Sequence, residues 1–380
     1  MRNQYDVMHV TCVHPATDSR IFFKEACTSQ SLGFSTAVVG PHHVREIKNG
    51  VQIIPITKSS FKLLRRINGP LKVLVKILKY KPRIVHFHDP EIIPIAAILR
   101  LFGIKVIYDV HEYYSEVLSS HYRSRTAKQI VRIASKFTLE YIPSKIFDAM
   151  AFPTNKLREA ICDNSKSVSL VNLLPLAMIP TDRNLVKPKK YYDIVFMGAI
   201  SPFRAGPLMD MMVLLAIKRP EINLLMLGVS EKTKTWMVQN MPTNLKPEAI
   251  TFHPRVPHDQ VFEILRSAKI GFNFHPMEER FRVAIPTKVY EYMACKIPVV
   301  CTQFPELVGQ FENGKEIILL TGEDQGDYAD AIMGLIENPA TAEKIGIAGY
   351  NAIQGSVNWD ISEAPKLRLL YNRLLSRTEL

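Results

Sequence analysis

The sequence predicts an α/β protein made of two doubly wound parallel-sheet domains facing a cleft. Three observations carry this. Short apolar runs of strand length alternate with segments of helical spacing along nearly the whole chain. The runs are apolar throughout, as strands covered on both faces must be. The rhythm breaks once, at "LLPLAMIPTDRNLVKPKKYY" (173–192), with three prolines and no period, and then restarts. The 380 residues leave room for two domains of ordinary size, and 47% apolar residues can fill two cores.

In the first half, "YDVMHVTC" (5–12) reads as a strand. "SRIFFKEACTSQSLG" (19–33) then has helical spacing, with Asp18 as its N-cap and Gly33 at its end. Strands follow at "STAVVG" and "VQIIPI", a basic helix near 70–80, a strand at "RIVHFH", a helix near 91–102 and a strand at "IKVIYDVH". Residues 125–142 read as helix, and "IFDAMAF" and "SVSLVNL" as strands. The second series is "DIVFMG", "INLLMLG", "ITFHP", "AKIGFNF", "KIPVVC" and "EIILL". The expected boundaries are 1–180 for the first domain, 181–191 for a linker, 192–356 for the second domain and 357–380 for a closing helix. In such sheets ligands bind beyond the carboxyl ends of the strands.

Composition narrows the function. The most hydrophobic region, 92–108, is interrupted by Pro94, Arg100 and Lys105, so no transmembrane helix is expected. The start "MRNQYDVMHVTC" enters a strand pattern directly and reads as no signal peptide. Five cysteines without C-x-x-C spacing suit reduced, buried thiols in a cytoplasmic protein. Residues 1–185 hold 26 Lys+Arg against 14 Asp+Glu, the entire net charge of +12, while residues 186–380 balance at 22 against 22. The first half therefore expects an anionic partner: membrane phosphates, a diphosphate-linked substrate or nucleic acid.

Several common motifs are missing. There is no G-x-G-x-x-G, no D-x-D, no H-E-x-x-H and no G-x-S-x-G. "GQFENGKE" (309–316) has P-loop spacing, but Glu316 stands where a magnesium-holding hydroxyl belongs, and a strand follows it. His86, His88 and His111 cluster at strand ends, yet two histidines on one strand with no cysteine make a poor zinc pattern. No metal is therefore assigned.

Strand ends carry the better signal. "VHFHDPE" gathers His86, His88, Asp89 and Glu91, and "YDVHE" gathers Asp109, His111 and Glu112. Helix capping would explain any one of them; two adjacent clusters favour a ligand. "MGAISPFRAG" places Gly198 at a strand end and Arg204 at a helix start, a turn that suits a phosphate. "IPTKVYEYMACKIPVV" (285–300) puts Pro286 in the first turn of a helix, Lys288 and Glu291 on one face and Val289 and Met293 on another. Lys288 suits a diphosphate and Glu291 two ribose hydroxyls; the alternative is an exposed ion pair worth ~0.3 kcal/mol. In "GPLKVLVKILKYKPR" (69–83), Lys72, Lys76 and Lys79 share a face opposite Val73, Leu74, Ile77 and Leu78. The apolar side is expected on the sheet and the lysines on the inner face of the membrane, at ~1 kcal/mol per residue.

With these residues in hand, the chain resembles a family 4 glycosyltransferase of the GT-B fold, two Rossmann-like domains, over nearly its whole length. The resemblance rests on "HPATDSRIFFKEA" with "LGFSTAVVGP", "VHFHDPEIIPIA", "VIYDVHEYY", "FMGAISPFRAG" and, most specifically, "PTKVYEYMACKIPVV". "WDISEAPKLRLLYNRLL" resembles the helix that returns to the first domain in this fold. The resemblance implies retaining transfer of a sugar from a UDP- or GDP-linked donor, with no cofactor and no obligatory metal. The acceptor it implies is a glycan or a polyprenyl-diphosphate-linked glycan, in surface polysaccharide biosynthesis, with the enzyme cytoplasmic and peripheral on the inner membrane face. By this analogy Gly198, Arg204, Pro286, Thr287, Lys288 and Glu291 hold the donor, and His111, Arg204 and Lys288 serve catalysis. His14, Asp18, Arg20, His88 and Glu91 face the acceptor.

The chain departs from the family pattern at three places. Val283 stands where the first glutamate of E-x7-E belongs, Ala199 where many members carry an arginine, and Ala205 where glycine is common. Arg280 and Arg282 are the available substitutes. A nucleotide-sugar epimerase of the same fold is the competing enzyme. A non-catalytic basic module on nucleic acid explains the charge but not the phosphate-type turns, so no nucleic-acid partner is expected.

Overall fold

A computed structural model describes residues 4–57, 62–180, 190–276 and 278–376. The chain divides into two compact units, Met1–Asn172 with Trp359–Leu380, and Leu173–Asn358. The strands of the first unit are β1 (Val7–Val10), β2 (Thr36–Pro41), β3 (Glu46–Lys48), β4 (Val51–Ile56), β5 (Ile84–Phe87), β6 (Lys105–Asp109), β7 (Ala149–Phe152) and β8 (Ser167–Ser169). Those of the second are β9 (Tyr192–Met197), β10 (Leu224–Leu227), β11 (Ile250–His253), β12 (Ala268–Asn273), β13 (Val299–Thr302) and β14 (Ile318–Leu320).

The first sheet runs β3-β4-β2-β1-β5-β6-β7-β8 and the second β11-β10-β9-β12-β13-β14. The second is parallel throughout. The first is parallel except for β3, which pairs antiparallel with β4 at the edge, Glu46 opposite Ile53. Three residues of mixed polarity leave no strand pattern, so β3 was not expected. Strand order reverses between β1 and β5 and between β9 and β12, which fixes where the crevices open.

Local chemistry shapes the second switch point. Gly271 lies under Tyr292, and a Cβ there would meet the ring at 2.5 Å. The bare glycine lets the ring lie on the sheet. The Tyr292 hydroxyl accepts from the Met197 N–H at 2.8 Å and donates to the Phe272 carbonyl at 3.3 Å, at the ends of β9 and β12. Two backbone groups are thereby satisfied where the strands part.

The returning C-terminal segment, Trp359–Ser362 and Ala364–Leu375, packs on the first unit. Trp359 Nε1 donates to Thr28 Oγ1 at 2.8 Å, Glu363 accepts from the Val171 N–H at 3.0 Å, and Leu367, Leu370 and Tyr371 are buried. The first unit ends at Asn172, eight residues before the expected end of the first domain, and the second begins at Leu173. Leu173, Leu174 and Ile179 are buried, and the Pro180 carbonyl accepts from Tyr350. Of the expected linker, residues 181–189 lie outside the described residues.

Two expectations about helices need correction. Leu78 of the Lys62–Tyr80 helix does not face the sheet: Val73 and Ile77 are fully buried while Leu78 is 49% exposed. At 100° per residue the buried line through 73 and 77 leaves 78 at the edge. Residues 286–287 precede the helix Lys288–Ala294, whose N-cap is Thr287, so Pro286 sits outside the first turn. No helix among the described residues is long and apolar enough to cross a membrane. The five cysteines are free thiols.

Candidate functional site

In the second unit, a cavity of about 440 Å³ opens at the carboxyl ends of β9, β10 and β11. Gly198, Gly228, Arg255, Thr287, Lys288 and Glu291 are among its lining residues. Gly198 has φ +97°, and a Cβ there would stand 3.2 Å from Lys288 Nζ. Glycine is thus needed both for the backbone angle and for the close approach of the ammonium. The helix that carries Lys288 buries Val289, Tyr290, Tyr292 and Met293, which turns Lys288 and Glu291 toward the cavity.

The electrostatics of Lys288 are unusual. Its Nζ lies 4.7 Å from the Phe196 ring centre. Burial, and then the nearby Arg204 cation, pull its pKa down to about 8, against a weaker opposing pull from Glu291. The charge of this cation is thus only partly offset by its surroundings.

Arg204 is placed differently from expectation. It is buried, does not line the cavity, and its Nη2 donates to the Phe274 carbonyl at 2.9 Å and to His275 Nε2 at 3.1 Å. Its guanidinium carbon lies 6.0 Å from the ring centres of both Phe196 and Phe281. Burial, with Arg280 next, lowers it to about 10. Beside three cations, buried His275 is pushed down to about 2 and stays neutral. In this arrangement Arg204 bears on Lys288 through its charge. The arginine that does line the cavity is Arg255, which the sequence reading missed. The strand-end rule applied to "ITFHPR" would have found it. Arg280 and Arg282 do not line this cavity; they pair with Glu278 at 2.8 Å and Glu279 at 4.0 Å. Val283 is buried and Ala199 lines the cavity.

In the first unit the switch point gathers His14, Asp89, His88, Asp109 and His111. Asp89 does not cap the helix after it. It holds the loop after β1, accepting from Thr11 Oγ1 at 2.8 Å and the Cys12 N–H at 2.5 Å. His14 lies 3.5 Å from Asp89, and its ring centre is 5.1 Å from that of His111. These two histidines and Glu91 are partly exposed, and Glu112 is exposed.

Three expected acceptor residues have other employment. Asp18 caps the Ser19–Ala26 turn through the N–H groups of Arg20 and Ile21. Arg20 is buried and forks onto Asp109 with two bonds of 2.8 Å, its third arm reaching the Leu170 carbonyl. His88 is fully buried between His9, Asp109 and His111. Arg20 and His88 are therefore corrected to positioning residues: Arg20 holds Asp109 ionised, well below the usual carboxylate range despite burial, and Asp109 orients His111 Nε2 at 3.0 Å.

Comparison with known proteins accords with this geometry. Residues 212–361 match a family model described as "Glycosyl transferase-like". The D-inositol 3-phosphate glycosyltransferases of Arthrobacter sp. (strain FB24) and Thermobifida fusca (strain YX) are 28% and 23% identical over 44% and 51% of this chain. The glycosyl transferase-like match covers less than half of this chain, whose two parallel-sheet units have the GT-B fold.

These matches span 40% and 45% of the two curated relatives, less than half their length. The likeness in fold extends further than the sequence match. A sucrose-phosphate synthase of Thermosynechococcus elongatus superposes with a TM-score of 0.73 at 15% identity, covering 98% of this chain and 99% of the other. Anabaena HepE, solved in complex with UDP-glucose, superposes at 0.70 with 11% identity, over 98% and 100%.

Proposed function

We propose that this chain moves a sugar from a nucleotide-diphosphate donor to a hydroxyl of a glycan or lipid-linked glycan, with retention at the anomeric carbon. The observation that carries this reading is Lys288, a cation with a lowered pKa at the wall of a strand-end cavity, next to a glycine that makes room for its ammonium. In this reading Lys288 and Arg255 neutralise the diphosphate, Glu291 accepts from the ribose hydroxyls, and Thr287 and Gly198 shape the phosphate turn. The acceptor oxygen bonds to the anomeric carbon as the bond to the β-phosphate oxygen breaks. The hydroxyl proton passes to the departing diphosphate. Fixed cations around that leaving group supply the electrostatic catalysis. His111, oriented by Asp109, and His14 beside it are assigned to the sugar and the acceptor.

The UDP-glucose complex of Anabaena HepE makes UDP-sugars the first donors to try, ahead of GDP-sugars. A role in surface polysaccharide synthesis at the inner membrane face belongs to the same proposal. Its support has moved from the lysines of the Lys62–Tyr80 helix, since Lys72 is bonded to the Thr57 carbonyl at 2.8 Å. The segment 125–141 suits a membrane surface better. Ile130, Ile133, Phe137 and Tyr141 are each more than half exposed, with Arg125, Lys128, Arg132 and Lys136 interleaved.

The test is a thermal-shift panel of UDP- and GDP-sugars, followed by nucleotide release with the donor that binds. A bound donor raises the midpoint by mass action. Lys288→Ala and Glu291→Ala are expected to abolish both shift and release. Full activity in both variants would refute the assignment, and sugar isomerisation from donor alone would favour the epimerase.

A further inference from the structure

The buried centre of the first unit holds a constellation of which only His88 touches the groups that orient His111. His9 on β1 and His86 on β5 are paired in register, so both side chains leave the same face, and His88 follows two residues beyond His86. Glu25, from the Ser19–Ala26 turn, reaches the same point. All four side chains are fully buried.

The distances are informative. Glu25 Oε2 lies 3.7 Å from His9 Nδ1, 3.9 Å from His86 Nε2 and 3.8 Å from His88 Nε2. His9 Nδ1 and His88 Nε2 are 3.2 Å apart. The three gaps to Glu25 are too long for hydrogen bonds. Among the described residues, neither Glu25 oxygen nor His86 Nε2 has a hydrogen-bond partner; Oε1 has only an ion-pair approach to Arg20 Nε at 3.2 Å. Buried polar atoms of this kind call for an occupant, at a cost of about 1–3 kcal/mol each when left bare.

Four of the six ligand-to-ligand edges come near those of a tetrahedron. Nitrogen and oxygen ligands about 2.0–2.1 Å from a zinc ion stand roughly 3.3–3.4 Å apart at the tetrahedral angle. The four distances, 3.2 to 3.9 Å, need closure by only a few tenths of an ångström on average. The outer nitrogens are already held as ligating imidazoles require. His88 Nδ1 meets Asp109 Oδ2 at 3.1 Å and His86 Nδ1 meets the Tyr371 hydroxyl at 2.9 Å. His9 Nε2 lies 3.3 Å from the same hydroxyl and 3.5 Å from Ser29 Oγ. The neighbouring trio His88, Asp109 and His111 is a poorer set, because both Asp109 oxygens are bonded to Arg20.

We propose that His9, Glu25, His86 and His88 bind one divalent first-row cation, zinc, in a closed structural site. It would clamp β1, β5 and the Ser19–Ala26 turn beneath Tyr371 of the returning helix. With no ligand position open to substrate, the site does no sugar chemistry, and it is independent of the donor cavity of the second unit.

The test uses the full chain with its affinity tag removed, expressed in zinc-replete, zinc-depleted and cobalt-supplemented media. Plasma mass spectrometry of the replete protein should give about one zinc per chain, and zinc added to depleted protein should raise its thermal midpoint. The cobalt form should show the intense visible absorption of tetrahedral cobalt(II). Glu25→Gln and His86→Gln should lower bound metal to about a tenth of an equivalent or less, while His121→Gln, on the surface, keeps it. Should either variant fail to fold, the wild-type metal content and cobalt spectrum decide alone. Wild-type protein without stoichiometric metal, without a zinc-dependent midpoint and without that spectrum overturns the proposal and leaves a bound water as occupant.

Discussion

Replacing Lys288 with methionine separates what the donor site costs from what it does. Burial and Arg204 take the ammonium from 10.5 to about 8. At 1.36 kcal/mol per pH unit that displacement corresponds to about 3 kcal/mol. Water reaching a half-buried side chain screens it, which leaves roughly 1–2 kcal/mol. The folded pKa lies below the unfolded one, so the folded state binds this proton more weakly. Folding is penalised in full below pH 8, and the penalty fades as pH rises from about 8 through 10.5. Methionine keeps an unbranched stem without the charge. Lys288→Met should therefore stabilise the second unit by roughly 1–2 kcal/mol at pH 7, about 2–4 °C in Tm per kcal/mol. The gain should shrink toward zero near pH 10.5, where the wild-type lysine is itself neutral. The same variant should lose the UDP-sugar shift and about 10²–10³ in kcat/KM. Calorimetry at both pH values, with and without donor, reads all of this. A variant that is destabilised at pH 7, or whose gain is equal at both pH values, refutes the electrostatic account of the site.

Gly198→Ala forces φ +97° on a residue with a Cβ and presses it to 3.2 Å from Lys288 Nζ, so donor affinity by calorimetric titration should fall about tenfold; an unchanged Kd would remove Gly198 from the site. Tyr371→Phe keeps the ring but takes the hydroxyl from His86 and His9, and should cost the first unit about 1–3 kcal/mol in denaturant unfolding. Sedimentation with anionic vesicles should fall several-fold in an Ile133→Glu, Phe137→Glu double variant, each basic neighbour contributing ~1 kcal/mol. Equal binding to neutral vesicles, or none by the wild type, rejects the membrane surface.

Much of the architecture was legible because α/β units write themselves locally. Continuous apolar runs such as "VIYDVH" and "FMGAI" can be buried only in a covered parallel sheet, and strand ends then fall beside one another whatever lies between. Gly198, Lys288 and Glu291, each at a strand end or on the helix after it, share one cavity wall for that reason. Elements without such a pattern stayed hidden: β3 has three residues at an edge, and Leu78 of a regular helix pattern turned out to be exposed because the rotation of the helix is set by its packing partner.

The side-chain roles divide along the same line. Residue type and spacing along the chain determined that a glycine turn at a strand end and two acidic-histidine clusters exist, because helix and strand periods act over a few residues. Only the tertiary structure decided which of those groups meet ligand and which meet each other. Arg20 and Asp109 are 89 residues apart, and their paired bonds withdraw Arg20 from any acceptor. His9 and Glu25 drew no notice in the sequence, yet parallel pairing sets His9 beside His86 and the Ser19–Ala26 turn brings Glu25 to the same fully buried point. Arg255 replaced Arg204 at the cavity because the depth of burial, set by Phe196 and Phe281, is a property of the packed core. Burial and long-range proximity fix the charge state of each group, and neither is a function of neighbours along the chain.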